Sequence, residues 1–359
     1  MVITMSSESA MNSSKTQKAK IPARLHAILA RRGSYAVVFR RGPSDTGALI
    51  GWDRRNDTFT LGQWLRGRIY PLRCDLSPTG KHLIYFAAKY GRENPVEKFV
   101  REEVERRVGS LEQWWNEWQK EKSASWCACF EAHYKAREHE EKLIRNEYEQ
   151  EFQRMKQSSD WHDYSWTVIS RTPYLKALSL WWYGTGWNGG GIFESEKEFY
   201  LNRPPERIAK TIPGVQDRRF KELPLTDELR EQGWGTHGEC MMVYDFRLER
   251  DGWRYLENAA PGWFYEKTLP NGWILRKEFP GGYESWHEIY WERHSLLDAD
   301  GKVLIEGKEW RWTEYDGYRK RIVYAENGAI YALKLKLPLQ PVLLQDFNEM
   351  TYQRISAPY

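Results

Sequence analysis

Residues 315–335 read YDGYRKRIVYAENGAIYALKL, and their pattern decides the fold class. Two runs rich in β-branched and aromatic residues, Arg321 to Ala325 and Ala329 to Leu335, flank Asn327-Gly328. Asn-Gly tolerates positive φ at both central positions of a tight turn, so the stretch predicts a β-hairpin. The same grammar extends upstream. Asn271-Gly272, Asp300-Gly301 and Asp316-Gly317 separate short runs at Trp253 to Tyr255, Phe264 to Glu266, Trp273 to Phe279, Tyr290 to Arg293, Val303 to Ile305 and Trp310 to Trp312. Residues 252–335 are therefore expected to be all β, with two-residue hairpins at the four turns.

The first part of the chain has similar runs at Ser34 to Arg40, Ala48 to Trp52, Thr58 to Trp64 and His82 to Ala87, broken by Gly42-Pro43-Ser44, Arg55-Asn56-Asp57 and Ser77-Pro78-Thr79-Gly80. Ile21 to Arg31 reads as a short helix, and Met241 to Leu248 as a strand after a Pro- and Gly-rich loop over 203–237. Further strands are predicted at Trp166 to Ser170, Tyr174 to Trp182, Gly191 to Phe193 and Phe199 to Leu201.

Between these β regions the character changes at Asn94-Pro95, a helix cap followed by a first-turn proline. Val96, Phe99, Val100, Val104 and Val108 recur at helical spacing, Gly109-Ser110 offers a stop and a new cap, and a second apolar stripe runs through Trp114, Trp115, Trp118, Phe130, Tyr134, Leu143, Ile144, Tyr148 and Phe152. That stripe is expected to dock on the chain's own sheets or to fold back as a hairpin. The predicted organisation is a tail over 1–20, a β segment over 21–93, a helical insertion over 94–160, a β segment over 161–340 completing the same domain, and a C-terminal tail over 341–359. The fold class is mainly β, propeller-like or stacked antiparallel sheets, with a long helix-hairpin insertion.

Asp75 to Lys89, DLSPTGKHLIYFAAK, carries a Ser-Pro-x-Gly-Lys turn feeding an apolar strand and resembles the blade turn of TolB-type β-propellers. Leu297 to Ile305 echoes it, and residues 315–335 resemble a three-strand stretch of such a blade. The resemblance implies a propeller whose rigid face and channel bind peptides or proteins, with residues 94–160 inserted into a blade hairpin.

With 359 residues, 41% hydrophobic and 15% aromatic, the chain can bury a sizeable core. A balance of 54 basic and 50 acidic residues lacks the one-sided field of a dedicated nucleic-acid binder. No run of about 18 apolar residues offers a membrane span, and four cysteines are too few to staple a secreted scaffold, so a cytoplasmic protein with reduced thiols and no membrane partner is expected.

The chemical motifs are weak. Gly184-Thr185-Gly186-Trp187-Asn188-Gly189 has dinucleotide-fingerprint spacing, but a strand signal follows where a helix N-terminus would be needed, so a tight loop and no cofactor are expected. Cys127 and Cys129 diverge by about 200° on a helix, leaving only Cys129 and His133 on one face, so no metal site is expected. Nothing in the spacing orients His237 and Cys240 as a nucleophile and base. Glu284, Glu288 and Glu292 alternate with Trp291 and the other aromatics around His287, which reads as a solvated strand face.

Function is accordingly read as non-catalytic. The chain is expected to be a protein-interaction scaffold that engages another protein through Trp114, Trp115, Trp118 and Tyr134 of the insertion and Trp187 and Asn188 of the Gly-rich loop. The alternatives are a glycan or peptide hydrolase using Trp187, Asn188, His237, His287 and Glu288, and single-stranded nucleic-acid binding on Arg40, Arg66, Arg68, Tyr70 and Arg73.

Overall fold

The computed structural model describes residues 21–42, 46–89, 95–109, 126–150, 152, 165–182, 189–202, 210–211, 215–227, 229, 242–259, 262–279 and 292–359. Within them the alternating runs form five sheets. Sheet 1 is a meander of β1 (Arg24–Leu29), β2 (Tyr35–Arg41), β3 (Thr46–Asp53) and β4 (Thr58–Arg66). Sheet 2 contains β5 (Arg68–Ile69), β6 (Asp75–Leu76), β7 (His82–Ala88), β8 (Ser165–Arg171) and β9 (Ala177–Trp182).

Sheet 3 begins with β10 (Gly191–Phe193) and β11 (Glu198–Leu201); β12 (Lys210–Thr211) returns to β9, and β13 (Lys221–Glu222) joins β11 in parallel. Sheet 4 is β14 (Arg254–Ala259), β15 (Gly262–Thr268), β16 (Ile274–Phe279), β17 (Arg293–Leu297) and β18 (Val303–Gly307). Sheet 5 is β19 (Trp310–Asp316), β20 (Arg321–Glu326), β21 (Ala329–Lys334) and β22 (Val342–Asp346).

Buried side chains pack the sheets on one another. Val38, Ile50 and Trp52 of sheet 1 pack on Trp312, Val323 and Ile330 of sheet 5. On the opposite face, Val37 and Leu49 meet Leu83, Tyr85 and Val168 of sheet 2. Ile84, Ile169 and Trp181 carry sheet 2 onto Phe193 and Phe199 of sheet 3, and Leu275 and Leu296 of sheet 4 pack on Ile322 and Tyr324 of sheet 5. Sheets 3 and 4 are bridged by a helix over Met242–Arg250, whose Val243 packs on Ile192 and whose Tyr244 and Leu248 join the sheet 4 core.

Three segments differ from the sequence expectation. Ile21 to Arg31 is not helical: β1 pairs with β2 from Arg24↔Arg41 to Leu29↔Ala36. Leu25 and Ala27 face sheet 5 while Ile28 and Ala30 face sheet 2, so period-two burial between two sheets overrides the helix propensity of Ala and Leu. Of Met241 to Leu248, read as a strand, residues 242–248 are helical: Val243, Tyr244, Arg247 and Leu248 are buried at helical spacing. Residues 341–359, read as a tail, supply β22, and Phe347 is buried in the core between sheets 1 and 5.

Of the four turns expected to be two-residue hairpins, Asn327-Gly328 is one, with φ of 48° and 78° between the paired Glu326 and Ala329. The other three close longer loops, because the flanking pairs are Thr268↔Ile274, Leu297↔Val303 and Asp316↔Arg321.

The segment read as a helical insertion contains α1 (Pro95–Val108) and α2 (Trp126–Glu147), so the helix over Met242–Arg250 is α3. Gly109, at φ 90°, ends α1, its N–H donating to Glu105 O at 2.9 Å. Val96, Val100 and Val104 bury against Ile144 and Phe152, with Phe99 and Tyr148 at the edge. The two helices thus hold their own small core, and the flanking strands β7 and β8 pair from His82↔Arg171 to Ala88↔Ser165 without a break in register. No helix among the described residues is long and apolar enough to cross a membrane.

Candidate functional site

A cavity of about 600 Å³ opens where β1, α3 and sheets 4 and 5 converge. α3 shapes one wall through the way it ends. Trp253 N–H donates to Leu248 O at 2.9 Å and Gly252 N–H to Glu249 O at 3.0 Å, with Gly252 at φ 89°, a Schellman closure that turns the chain sharply. Arg247, Arg250 and Asp251 are left on the cavity wall, with Trp253 buried behind them.

The wall carries six cationic side chains, Arg31, Arg54, Arg247, Arg250, Lys267 and Lys277, and two carboxylates, Asp251 and Glu314. Arg250 forks onto Asp75, with Nη1 to Oδ2 at 2.8 Å and Nη2 to Oδ1 at 3.0 Å, and Nε reaches Asp251 Oδ1 at 2.9 Å. Arg54 donates to Asp316 at 2.6 Å. Lys267 Nζ donates to Glu314 Oε1 at 2.6 Å, and Trp253 Nε1 donates to Oε2 of the same carboxylate at 3.0 Å. Lys277 is fully buried: its ammonium lies 3.3 Å from Glu292 Oε2, 3.1 Å from the Tyr244 hydroxyl and 4.8 Å from the centre of the Trp253 ring. An ammonium in so dry a place is held by this carboxylate and by the ring's negative face.

Arg247 differs. It is 5% exposed, and its guanidinium donates to the carbonyls of Pro71 and Cys74 and contacts His26 Nε2 at 3.3 Å. Arg31 donates to the carbonyls of Phe193 and Glu194 at 2.9 and 3.4 Å. Among the described residues neither has a carboxylate within ion-pairing distance.

Burial and these charges set the protonation states. His26 and His294 both lie well below the ordinary histidine value, because burial disfavours the imidazolium and because Arg247 repels it at His26 and Lys277 at His294. A neutral His26 is what lets Nε2 accept from Arg247. Both ring nitrogens of His294 lack a hydrogen-bond partner. Burial, reinforced by Glu292, pushes the Tyr244 phenol well up. Burial also raises the Asp251 carboxyl despite Arg250, whereas at Glu314 burial is outweighed by Lys267 and Lys277, which bring it below its ordinary value.

The residues expected to bind a partner fall in different places. Trp114, Trp115, Trp118, Trp187 and Asn188 lie outside the described residues, as do His237, Cys240, Glu284, His287 and Glu288. Tyr134 stands exposed on α2. Arg137 Nη1 donates to Gly109 O at 2.9 Å, so the first residues of α2 extend past the end of α1.

The arginine and aromatic set Arg40, Arg66, Arg68, Tyr70 and Arg73 forms no single solvent-facing surface. Arg40 is buried and donates to Phe347 O at 3.1 Å and Gly42 O at 2.8 Å, while Arg73 is buried with its guanidinium over the Tyr70 and Phe86 rings. Arg66 is exposed over the Tyr352 ring, and Arg68 is exposed.

Gly189 leads into β10 rather than a helix, and a Cβ on Gly190 would clash with Arg73 O. This glycine is needed for close backbone packing. Glu292, read as part of a solvated face, is instead buried beside Lys277, because β17 enters sheet 4 opposite β16 and pairs His294 with Lys277. Cys74, buried, has its thiol pushed up to about 12 by desolvation, which leaves it protonated and inert.

No family model matches this chain, and no curated protein matches its sequence.

No local pattern in the sequence points to the cavity. Its members are drawn from β1, α3, β15, β16 and β19 and from the turns after β1, β3, α3 and β19, and no local spacing links them. The one local signal was Asp251-Gly252, a helix stop that reads equally well as a turn between strands.

Proposed function

We propose that this chain is a non-catalytic binding scaffold in which a propeller-like ring of sheets presents the helical insertion to another protein. The observation that carries the reading is the uninterrupted pairing of β7 with β8 on either side of the insertion, together with the insertion's own core. The continuous register of β7 and β8 and the helices' separate core support a role for the helices outside the sheets. The overhang of α2 beyond α1 supplies the reach, and Tyr134 supplies an exposed aromatic anchor near it. The packing of the sheets on one another, with α3 between sheets 3 and 4, supports the propeller-like closure implied by the TolB-type resemblance. Binding without chemistry also accords with the committed carboxylates of the cavity.

The test replaces residues 94–160 by a short flexible linker. The deleted chain is expected to keep its β circular dichroism and cooperative unfolding while losing a partner that the full chain retains from native extract, with the interaction reproduced by the purified partner and weakened at least tenfold by Tyr134→Ala. A deleted chain that folds and keeps the same partner removes the arm from the reading.

A further inference from the structure

We infer that the cavity between β1, α3 and sheets 4 and 5 binds a small organic oxyanion, bearing phosphate or carboxylate, with its charged group against Arg247 and Arg31. This site is separate from the helical arm and does not depend on it. Arg247 carries the inference. Its guanidinium is almost wholly withdrawn from water, yet its acceptors are two backbone carbonyls and a neutral imidazole, with no carboxylate in ion-pairing distance among the described residues. A buried cation without a counter-charge is strongly unfavourable, and an anion on the open side of the cavity relieves it.

Arg31, exposed at the rim, also has no carboxylate in ion-pairing distance among the described residues. It shares the Phe193 carbonyl with Arg250, at 2.9 and 3.5 Å, so two guanidiniums stand side by side; Asp75 and Asp251 are hydrogen-bonded to Arg250 and act on Arg31 only through space, as does Glu194. The wall's own carboxylates are fully engaged. Glu314 accepts from Lys267, Trp253 Nε1 and the Tyr315 N–H, and Asp251 is gripped by Arg250.

The volume suits a small molecule rather than a chain, and Tyr244, Trp312, Tyr315 and Tyr318 on the same wall provide flat apolar surface for the rest of it. Guanidinium forks match planar carboxylate and tetrahedral phosphate alike, so the two sources are separated by experiment.

Calorimetry on the full chain with inorganic phosphate, adenosine monophosphate and citrate, against chloride at matched ionic strength, tests the site. At least one probe is expected to bind with micromolar to low-millimolar affinity: phosphate with the monophosphate identifies a phosphoryl ligand, and citrate alone a carboxylate. Arg31→Gln is expected to weaken that probe about tenfold, the loss of one charge-assisted pair. Arg247→Gln is expected to do at least as much, and Arg66→Gln, on an exposed edge away from the cavity, to change nothing. Should Arg247→Gln fail to fold, Arg31→Gln decides. Binding of none of the probes overturns the inference, and so does binding that Arg31→Gln leaves unchanged or that Arg66→Gln weakens equally.

Discussion

His294 sits beside Lys277 across a β pair, has no hydrogen-bond partner at either ring nitrogen, and is kept neutral by burial and by that ammonium. His26 is kept neutral in the same way by burial and Arg247, and His82, half-buried, shifts in the same direction. In the unfolded chain all three take up a proton near the ordinary value of 6.5, so below that pH the unfolded state binds more protons than the folded one. Stability is expected to be level above about pH 6.5 and to fall as the pH drops below it. The slope reaches about 1.4 kcal/mol per pH unit for each fully buried histidine. Urea denaturation at pH 7.5, 6.5 and 5.5 measures this, and His294→Asn should flatten the slope. Equal midpoints at all three values would contradict the burial of these rings. The individual histidines are visible in the sequence, but nothing local announces that two of them are dry.

At the scale of elements, α1 and α2 were readable because their apolar residues recur at three and four positions and Gly109 marks the break, and Val96, Val100 and Val104 do bury together. Which way the second stripe points was not readable: Ile144 and Phe152 face α1, while Tyr134 and Leu143 are exposed. Since the hairpin core is its own, Val104→Asp is expected to melt the helices and leave the sheets folded. A carboxylate at that buried position costs about 3 kcal/mol or more without a partner. Circular dichroism should lose helical signal while hydrogen exchange of β2, β3, β7 and β8 stays protected; loss of protection in those strands would show that the helices support the sheet after all. β1 and α3 mark the opposite case, where a short apolar segment fits either period and the neighbours choose.

For the whole molecule, the last segment fastens the first. Phe347 is buried in the core shared by sheets 1 and 5, Arg40 donates to Phe347 O and Asn348 O, and the Ala23 N–H donates to Asn348 Oδ1 at 3.0 Å. Further on, Gln63 Nε2 donates to Ile355 O at 2.7 Å and the Tyr359 hydroxyl to Lys176 O at 2.8 Å, strapping sheets 1 and 2. Truncation after Asp346 is expected to lower stability by at least 3 kcal/mol, since it removes a buried aromatic and strands a buried guanidinium. Truncation after Met350 should cost less. Thermal unfolding ranks the three chains, and a shorter chain as stable as the full one would reduce the strap to a passive tail.

The sequence by itself determined the mainly β class, most strand positions, the helical insertion and its break, because these follow from periodicity and turn chemistry within a few residues. Tertiary structure alone decided that Ile21 to Arg31 extends, that α3 winds, that residues 341–359 clamp the chain, and that arginines, lysines and carboxylates from distant strands meet in one cavity. Those outcomes depend on which surfaces a segment is buried between and on charges balanced across more than two hundred residues of chain, as with Arg54 and Asp316, and neither leaves a trace in local spacing.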